Sequence, residues 1–200
     1  PVTELVYGVD LVAEQLRIAS GEPLSFSQED LIPRGHAIEC RLYAEDPDTF
    51  LPSPGQITGL RWPSGPGVRV DAGIDQHSTV PMAYDPMVAK LCTWASSRQA
   101  AIARMGRALD ETIILGITTN IALHHRVLAH PAFAGGKYDT GLLNGELPSI
   151  PSAQGSKEAS VIAAAIARYE NDQQSHRGGA QHAPQMTNWL SQGRARSMRS

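Results

Sequence analysis

The chain has 200 residues, 42% hydrophobic and 18% charged, with a formal net charge of -3. That length supplies enough apolar side chains for one cored domain, or one domain plus an appendage. The near-balanced charge excludes the strongly basic surface that nucleic acid requires, since the basic cluster at the end (Arg194, Arg196, Arg199) is short and reads as a solvated tail.

The chain opens Pro1-Val2-Thr3-Glu4, without a Met and without a domain-entry signal, and reads as a cut through a longer protein. Over residues 8–20, Val9, Val12, Leu16 and Ala19 recur at spacings of three and four, which predicts an amphipathic helix stopped by Gly21. Pro23 bars its continuation. From Gly35 to Glu45 the period becomes two. His36, Ile38, Cys40, Leu42 and Ala44 share one face, predicted to be core, while Ala37, Glu39, Arg41, Tyr43 and Glu45 share a wet face.

The segment FLPSPG (50–55) is a rigid turn, because two prolines fix φ and Gly55 permits a sharp exit. Short strands are expected at about Ile57–Trp62, Val68–Ala72 and Met87–Trp94, forming a small antiparallel sheet. A capping box of Ser96 and Gln99 predicts the start of a helix whose stripe is Ile102, Met105, Leu109 and Ile113. Asn120 to Ala129 predicts a further helix closed by Pro131, and Gly135-Gly136 a turn. After residue 147 the character changes: an alanine-rich stretch (157–170) is helical by propensity, and 173–185 is polar and disorder-prone. The predicted architecture is therefore α+β, a small antiparallel sheet with packed helices over 1–147, followed by a linker or tail over 148–200. No internal repeat is evident.

Cys40 and Cys92 have apolar neighbours and no metal or redox spacing, so both read as buried thiols in a reducing, cytoplasmic setting. No signal peptide or bilayer-spanning apolar run stands out, and no membrane partner is expected. The chain lacks GxxxxGK[ST], GxGxxG, HExxH and GxSxG motifs, and a Met-Lys-Met setting for a biotinylated lysine. His124 and His125 are adjacent on a predicted helix, so their side chains diverge by about 100°. No metal site is expected.

Three segments remain: RGHAIECRLYAEDP (34–47), FLPSPG (50–55) and YDPMVAKL (84–91). The residues leave two readings of Arg41 open. Its guanidinium can hold an oxyanion or carbonyl with parallel N–H donors, or it can simply pair with Glu39 or Glu45 on an exposed face.

Together with GVDLVAEQLRIASGEPL (8–24), these segments closely resemble the carboxy-terminal region of biotin carboxylases, over Pro1 to about Leu147. The resemblance implies an ATP-grasp enzyme of which this is the finishing β and helix region. In that family, ATP activates bicarbonate as carboxyphosphate, and the CO2 released carboxylates N1 of biotin on a carrier domain. Arg41 matches the family's catalytic arginine beside biotin and bicarbonate, where a fixed cation stabilises charge developing on the ureido oxygen. Tyr84 and Asp85 would help bind substrate, with Asp85 orienting Arg41; the alternative is that Asp85 caps the turn before Pro86. Gly67-Val68-Arg69 resembles the loop through which family members form homodimers. Pro66 stands where free-standing enzymes often carry an aromatic residue, which puts a contact by Pro66 and Arg69 in doubt.

The resemblance places the ATP site, with Mg2+ or Mn2+, in parent polypeptide preceding Pro1, so no cofactor is expected on the 200 residues alone and they should be inactive. Implied partners are the parent's N-terminal and ATP-grasp domains, a biotin carboxyl carrier domain and a carboxyltransferase component. YDPMVAKL and DTGLL (139–143) look more like multidomain acyl-CoA or pyruvate carboxylase chains. Two functions follow: a piece that supplies Arg41 to a composite active site, or a non-catalytic dimerisation and scaffold module.

Overall fold

The computed structural model describes residues 1–144, Leu147 and Arg168. The helix expected over 157–170 and the polar tail beyond it lie outside the described residues, Arg168 apart. In chain order the elements are α1 (Val2–Tyr7), α2 (Leu11–Ala19), a 3-10 turn (Gln28–Asp30), β1 (His36–Tyr43), β2 (Gly55–Gln56), β3 (Gly59–Arg61), β4 (Val68–Ala72), β5 (Thr79–Val80), β6 (Met87–Ala95), α3 (Arg98–Glu111), β7 (Ile113–Leu115), α4 (Ile121–Ala129), α5 (Pro131–Ala134) and a second 3-10 turn (Thr140–Asn144). The fold is α+β, as expected.

The expected sheet is real but divided. A three-stranded antiparallel sheet has the order β1-β6-β4, and β2-β5 and β3-β7 form separate two-stranded ladders. The single strand expected over 57–62 is broken at Ile57 and Thr58: Ile57 points into the core, fully buried, and Thr58 donates its N–H to Leu115 O. β5 and β7 carry too few residues to show a period.

The alternation of β1 is realised from Ile38 onward, whereas His36, expected on the core face, is exposed where the strand begins. Ile38, Cys40, Leu42 and Ala44 are buried, and β6 adds Leu91 and Thr93 to the same side. α3 closes over this face with Ala101, Met105, Ala108 and Leu109, all fully or almost fully buried. α3 begins one residue later than its expected cap: Ser97, not Ser96, accepts the N–H of Ala100. Its stripe ends at Leu109, because the β-branched run Thr112-Ile113-Ile114 leaves the helix for β7.

Glycine is required at positions that include Gly35 and Gly116. Gly35 enters β1 with φ +67°, and a Cβ there would collide with Ala95 O. Gly116, in the turn after β7, has φ +100°, and a Cβ would collide with Gln56 O.

The other face of the sheet carries Glu39, Arg41 and Tyr43 from β1, Lys90 and Cys92 from β6, and Arg69 and Asp71 from β4. α1 packs over its Glu39–Cys92 end. Cys92 is thereby fully buried, as expected, and burial pushes its thiol up to about 11 and that of Cys40 up to about 12. The Arg41 end of the face stays open.

α2 does not behave as its period predicts. Val12 and Leu16 are exposed, and the buried residue is Glu14, whose carboxylate accepts the Ser25 hydroxyl (2.5 Å) and the Ser25 N–H (3.0 Å).

Candidate active site

Arg41 lies in the middle of β1, pairs with Lys90 across the ladder, and is 59% exposed at its side chain. Its Nε donates to Glu39 Oε1 at 3.1 Å, and Glu39 and then Tyr43 hold the guanidinium firmly charged. Burial pushes the Glu39 carboxyl up, and the Arg41 guanidinium, through its hydrogen bond and its charge, opposes that and favours the carboxylate. The pairing reading of Arg41 is thus realised. The side chain pairs with Glu39, yet it remains accessible and lines a cleft of about 490 Å³ with Val2, Arg98, Phe133 and Tyr138. Arg98 stacks on that wall, its guanidinium carbon 4.9 Å from the Phe133 ring centre, while its Nε donates to Phe133 O at 3.2 Å.

The backbone beneath Arg41 is held from α4. β1 is an edge strand, and its ladder with β6 slips between Leu42 and Tyr43. At that slip the buried Asn120 takes over: its Oδ1 accepts the Tyr43 N–H (2.9 Å), its Nδ2 donates to Arg41 O (3.1 Å), and its own N–H donates to Tyr43 O (3.2 Å). The His124 Nε2, one turn along, lies 2.9 Å from the same Arg41 carbonyl. A carbonyl only accepts, so Nε2 carries the proton. Arg126 extends the fastening by donating to Asp48 Oδ1 (2.6 Å) and Pro47 O (2.5 Å) in the loop after β1.

The expected partnership of Asp85 with Arg41 is corrected. Asp85 Oδ1 accepts the Met87 N–H at 2.8 Å, which is the turn-capping alternative. The physical reason is local: Pro86 forces a turn whose first free N–H is that of Met87, two residues from the carboxylate. Glu39, two residues from Arg41 on the same strand face, fills the orienting role. Asp85 instead stands near Glu45, whose carboxyl is pushed up by burial and then by the Asp85 charge. Tyr84 is 79% exposed beside it. Their loop abuts the end of β1 through the Ala44 N–H and Pro86 O (2.8 Å). Pro66 is exposed on the loop before β4, and Arg69 donates to Asp71 (2.9 Å) and Glu4 (3.4 Å) of its own chain.

Sequence reasoning missed Asn120 and His124. An Asn before a helix is a cap signal, and here it makes no cap bond because its side chain is spent on β1. Among the described residues, no group of three or more His, Cys, Asp or Glu is placed to hold a metal ion. No described helix is long and apolar enough to cross a membrane.

The biotin carboxylase C-terminal domain family matches residues 39–145. The biotin carboxylase of Haemophilus influenzae is 57% identical over 136 residues, 68% of this chain and 30% of the relative. A pyruvate carboxylase subunit of Methanothermobacter thermautotrophicus is 52% identical over 141 residues, 70% of this chain and 29% of the relative. The chain thus spans about 30% of the length of these relatives. Among solved structures, the biotin carboxylase domain dimer of the Hydrogenobacter thermophilus 2-oxoglutarate carboxylase, with MgADP, ADP and bicarbonate bound, superposes with a TM-score of 0.69 at 41% identity, covering 72% of this chain and 32% of that one.

Proposed function

Since the chain belongs to the biotin carboxylase C-terminal domain family, we propose that it contributes one wall of a biotin carboxylase active site, with Arg41 as its catalytic residue. The reaction is the ATP- and bicarbonate-dependent carboxylation of biotin on a carrier domain, and the 200 residues alone do not catalyse it. The observation that carries this reading is Arg41 itself, oriented through Nε by Glu39 while its guanidinium faces an open cleft.

Loss of the N1 proton from the ureido ring, to a base that would lie in the polypeptide preceding Pro1, moves negative charge onto the exocyclic ureido oxygen. A guanidinium already oriented there stabilises that charge without reorganising during the reaction. Glu39 lowers the freedom of the side chain while its own hydrogen bond takes only Nε. Tyr84 and Asp85, on the loop at the end of β1, would contact substrate from one side, with Asp85 acting through its turn and not through Arg41. ATP and its divalent metal ion would be held by the polypeptide preceding Pro1. The described residues offer no glycine-rich phosphate loop and no carboxylate cluster for them.

The test is Arg41→Ala in the intact carboxylase polypeptide containing this segment. Carboxylation of free biotin should fall by about 10²–10³, the loss typical of one preorganised donor, with the KM for ATP retained. Unchanged turnover would leave the second reading, a dimerisation and scaffold module. That reading draws support from the dimer of the 2-oxoglutarate carboxylase domain. It places the contact on the exposed Pro66 loop, while Arg69 would first have to leave Asp71 and Glu4.

A further inference from the structure

The geometry points to His124 and Asn120 as positioning residues that fasten the backbone of Arg41 at the place where the β1–β6 ladder slips. This inference rests on Arg41 being the catalytic group. Placement of a long side chain starts at its own main chain, and the main chain of Arg41 sits on the free edge of a three-stranded sheet. The register shift between Leu42 and Tyr43 ends the regular ladder one residue after Arg41. An edge strand at such an irregularity bends and twists readily.

α4 supplies what the ladder lacks. The Arg41 carbonyl accepts two N–H donors, Asn120 Nδ2 at 3.1 Å and His124 Nε2 at 2.9 Å, so both of its lone pairs are directed at one helix. Asn120 also closes a ring with Tyr43, taking its N–H at 2.9 Å and giving its own to the Tyr43 carbonyl at 3.2 Å. These side-chain bonds stand in for a neighbouring strand. They are specific to the Arg41–Tyr43 pair, whose side chains share the face with Glu39. The buried Leu128 seats α4 against the core cluster, so the fastening is tied to packed structure. A displacement of the reacting geometry by about 1 Å can lower turnover about 10²-fold, and an unfastened edge permits movement on that scale.

The experiment uses the intact carboxylase polypeptide and reads turnover of free biotin, the KM for ATP and thermal melting. His124→Leu removes one donor and should lower kcat about tenfold with the KM for ATP unchanged. His124→Gln, whose amide N–H can reach the same carbonyl, should restore kcat to within about twofold of the wild type. Val80→Ala, buried on β5 away from α4, is the packing control; it should lower the melting temperature at least as much as His124→Leu while retaining kcat. Wild-type kcat in His124→Leu, no rescue by Gln, or an equal kcat loss in Val80→Ala would overturn the positioning role. If His124→Leu does not fold, His124→Asn, which keeps polarity but falls short in reach, takes its place against Gln: a low Asn and a high Gln support the role, and equal values overturn it. Arg41→Ala run in parallel separates the two claims, since full activity there removes the catalytic reading itself, whereas loss there with wild-type His124→Leu removes only the fastening.

Discussion

β1 and α2 carry equally clear apolar periodicity, and they meet opposite fates. On β1 the alternating set Ile38, Cys40, Leu42 and Ala44 is buried against α3. On α2 the residues at helical spacing, Val12 and Leu16, stay 61% and 67% exposed, with Leu11 and Ile18 beside them. The one buried side chain of α2 is a carboxylate, Glu14, strapping the loop at Ser25. Period states which residues share a face; it does not state whether the facing partner lies within the same stretch of chain. The partner of β1 is α3, some 55 residues on, and the described residues hold no such cover for α2.

The largest expected effect puts the comparison to its hardest test. Leu42, fully buried in β1, contacts the core from the strand that carries Arg41. Leu42→Ala should destabilise the domain by about 2–5 kcal/mol, the range for a buried leucine whose cavity cannot collapse, measured by urea denaturation. A loss below about 1 kcal/mol would mean that the sheet's inner face is no better covered than α2, and the contrast would fail.

Legibility in the sequence follows the same line. The wet and dry faces of β1, the position of Arg41 on the wet one, and the turn at Gly135-Gly136 are all readable, because each depends on neighbours within a few residues. The pairing of Arg41 with Glu39 is readable for that reason too. The role of Asn120 is not, since its signal is that of a helix cap and its partners, Arg41 and Tyr43, stand 79 and 77 residues away. His124 reads in sequence only as one of two adjacent histidines whose side chains diverge too far to share a metal ion, and its actual partner is a backbone carbonyl, which leaves no residue-type signature. Asp85 goes the other way: the resemblance implies a long-range pairing, and the local turn at Pro86 claims the carboxylate first.

A second, smaller effect separates the two regions by acid. Burial is the main cause holding the His124 imidazole below its ordinary 6.5, so the fold favours the neutral ring that donates to Arg41 O. Stability that rests on keeping this buried ring neutral is present above 6.5 and is lost as pH falls below it, because the unfolded chain takes up the proton first, while the bond to Arg41 O only partly offsets the loss. The Ser25 hydroxyl and N–H hold the Glu14 carboxyl below its ordinary 4.5, so the α2 strap keeps its stability above 4.5 and loses it only at lower pH. Amide protection factors at Tyr43 and Ser25, followed from neutral pH downward, should therefore decline in that order. Simultaneous loss would mean that His124 does not hold the β1 edge.

The smallest effect is expected where the periodicity is most conspicuous. Leu16→Gln replaces the most exposed member of the α2 stripe by a residue of comparable helix propensity. Leu16 is mostly exposed and little of its area is covered by the described residues, so the isolated 200-residue chain should change in stability by no more than about 0.5 kcal/mol. The same substitution in the intact carboxylase polypeptide tests the other half of the comparison. If the polypeptide preceding Pro1 covers α2, the cost there should rise toward about 1.5–3 kcal/mol, the value of burying a leucine side chain. The difference between the two urea midpoints then measures how far α2 finds its partner outside this segment. Equal and small costs in both settings would show that the stripe on α2 is helical in period without being an interface, and that only β1 converts its pattern into packing.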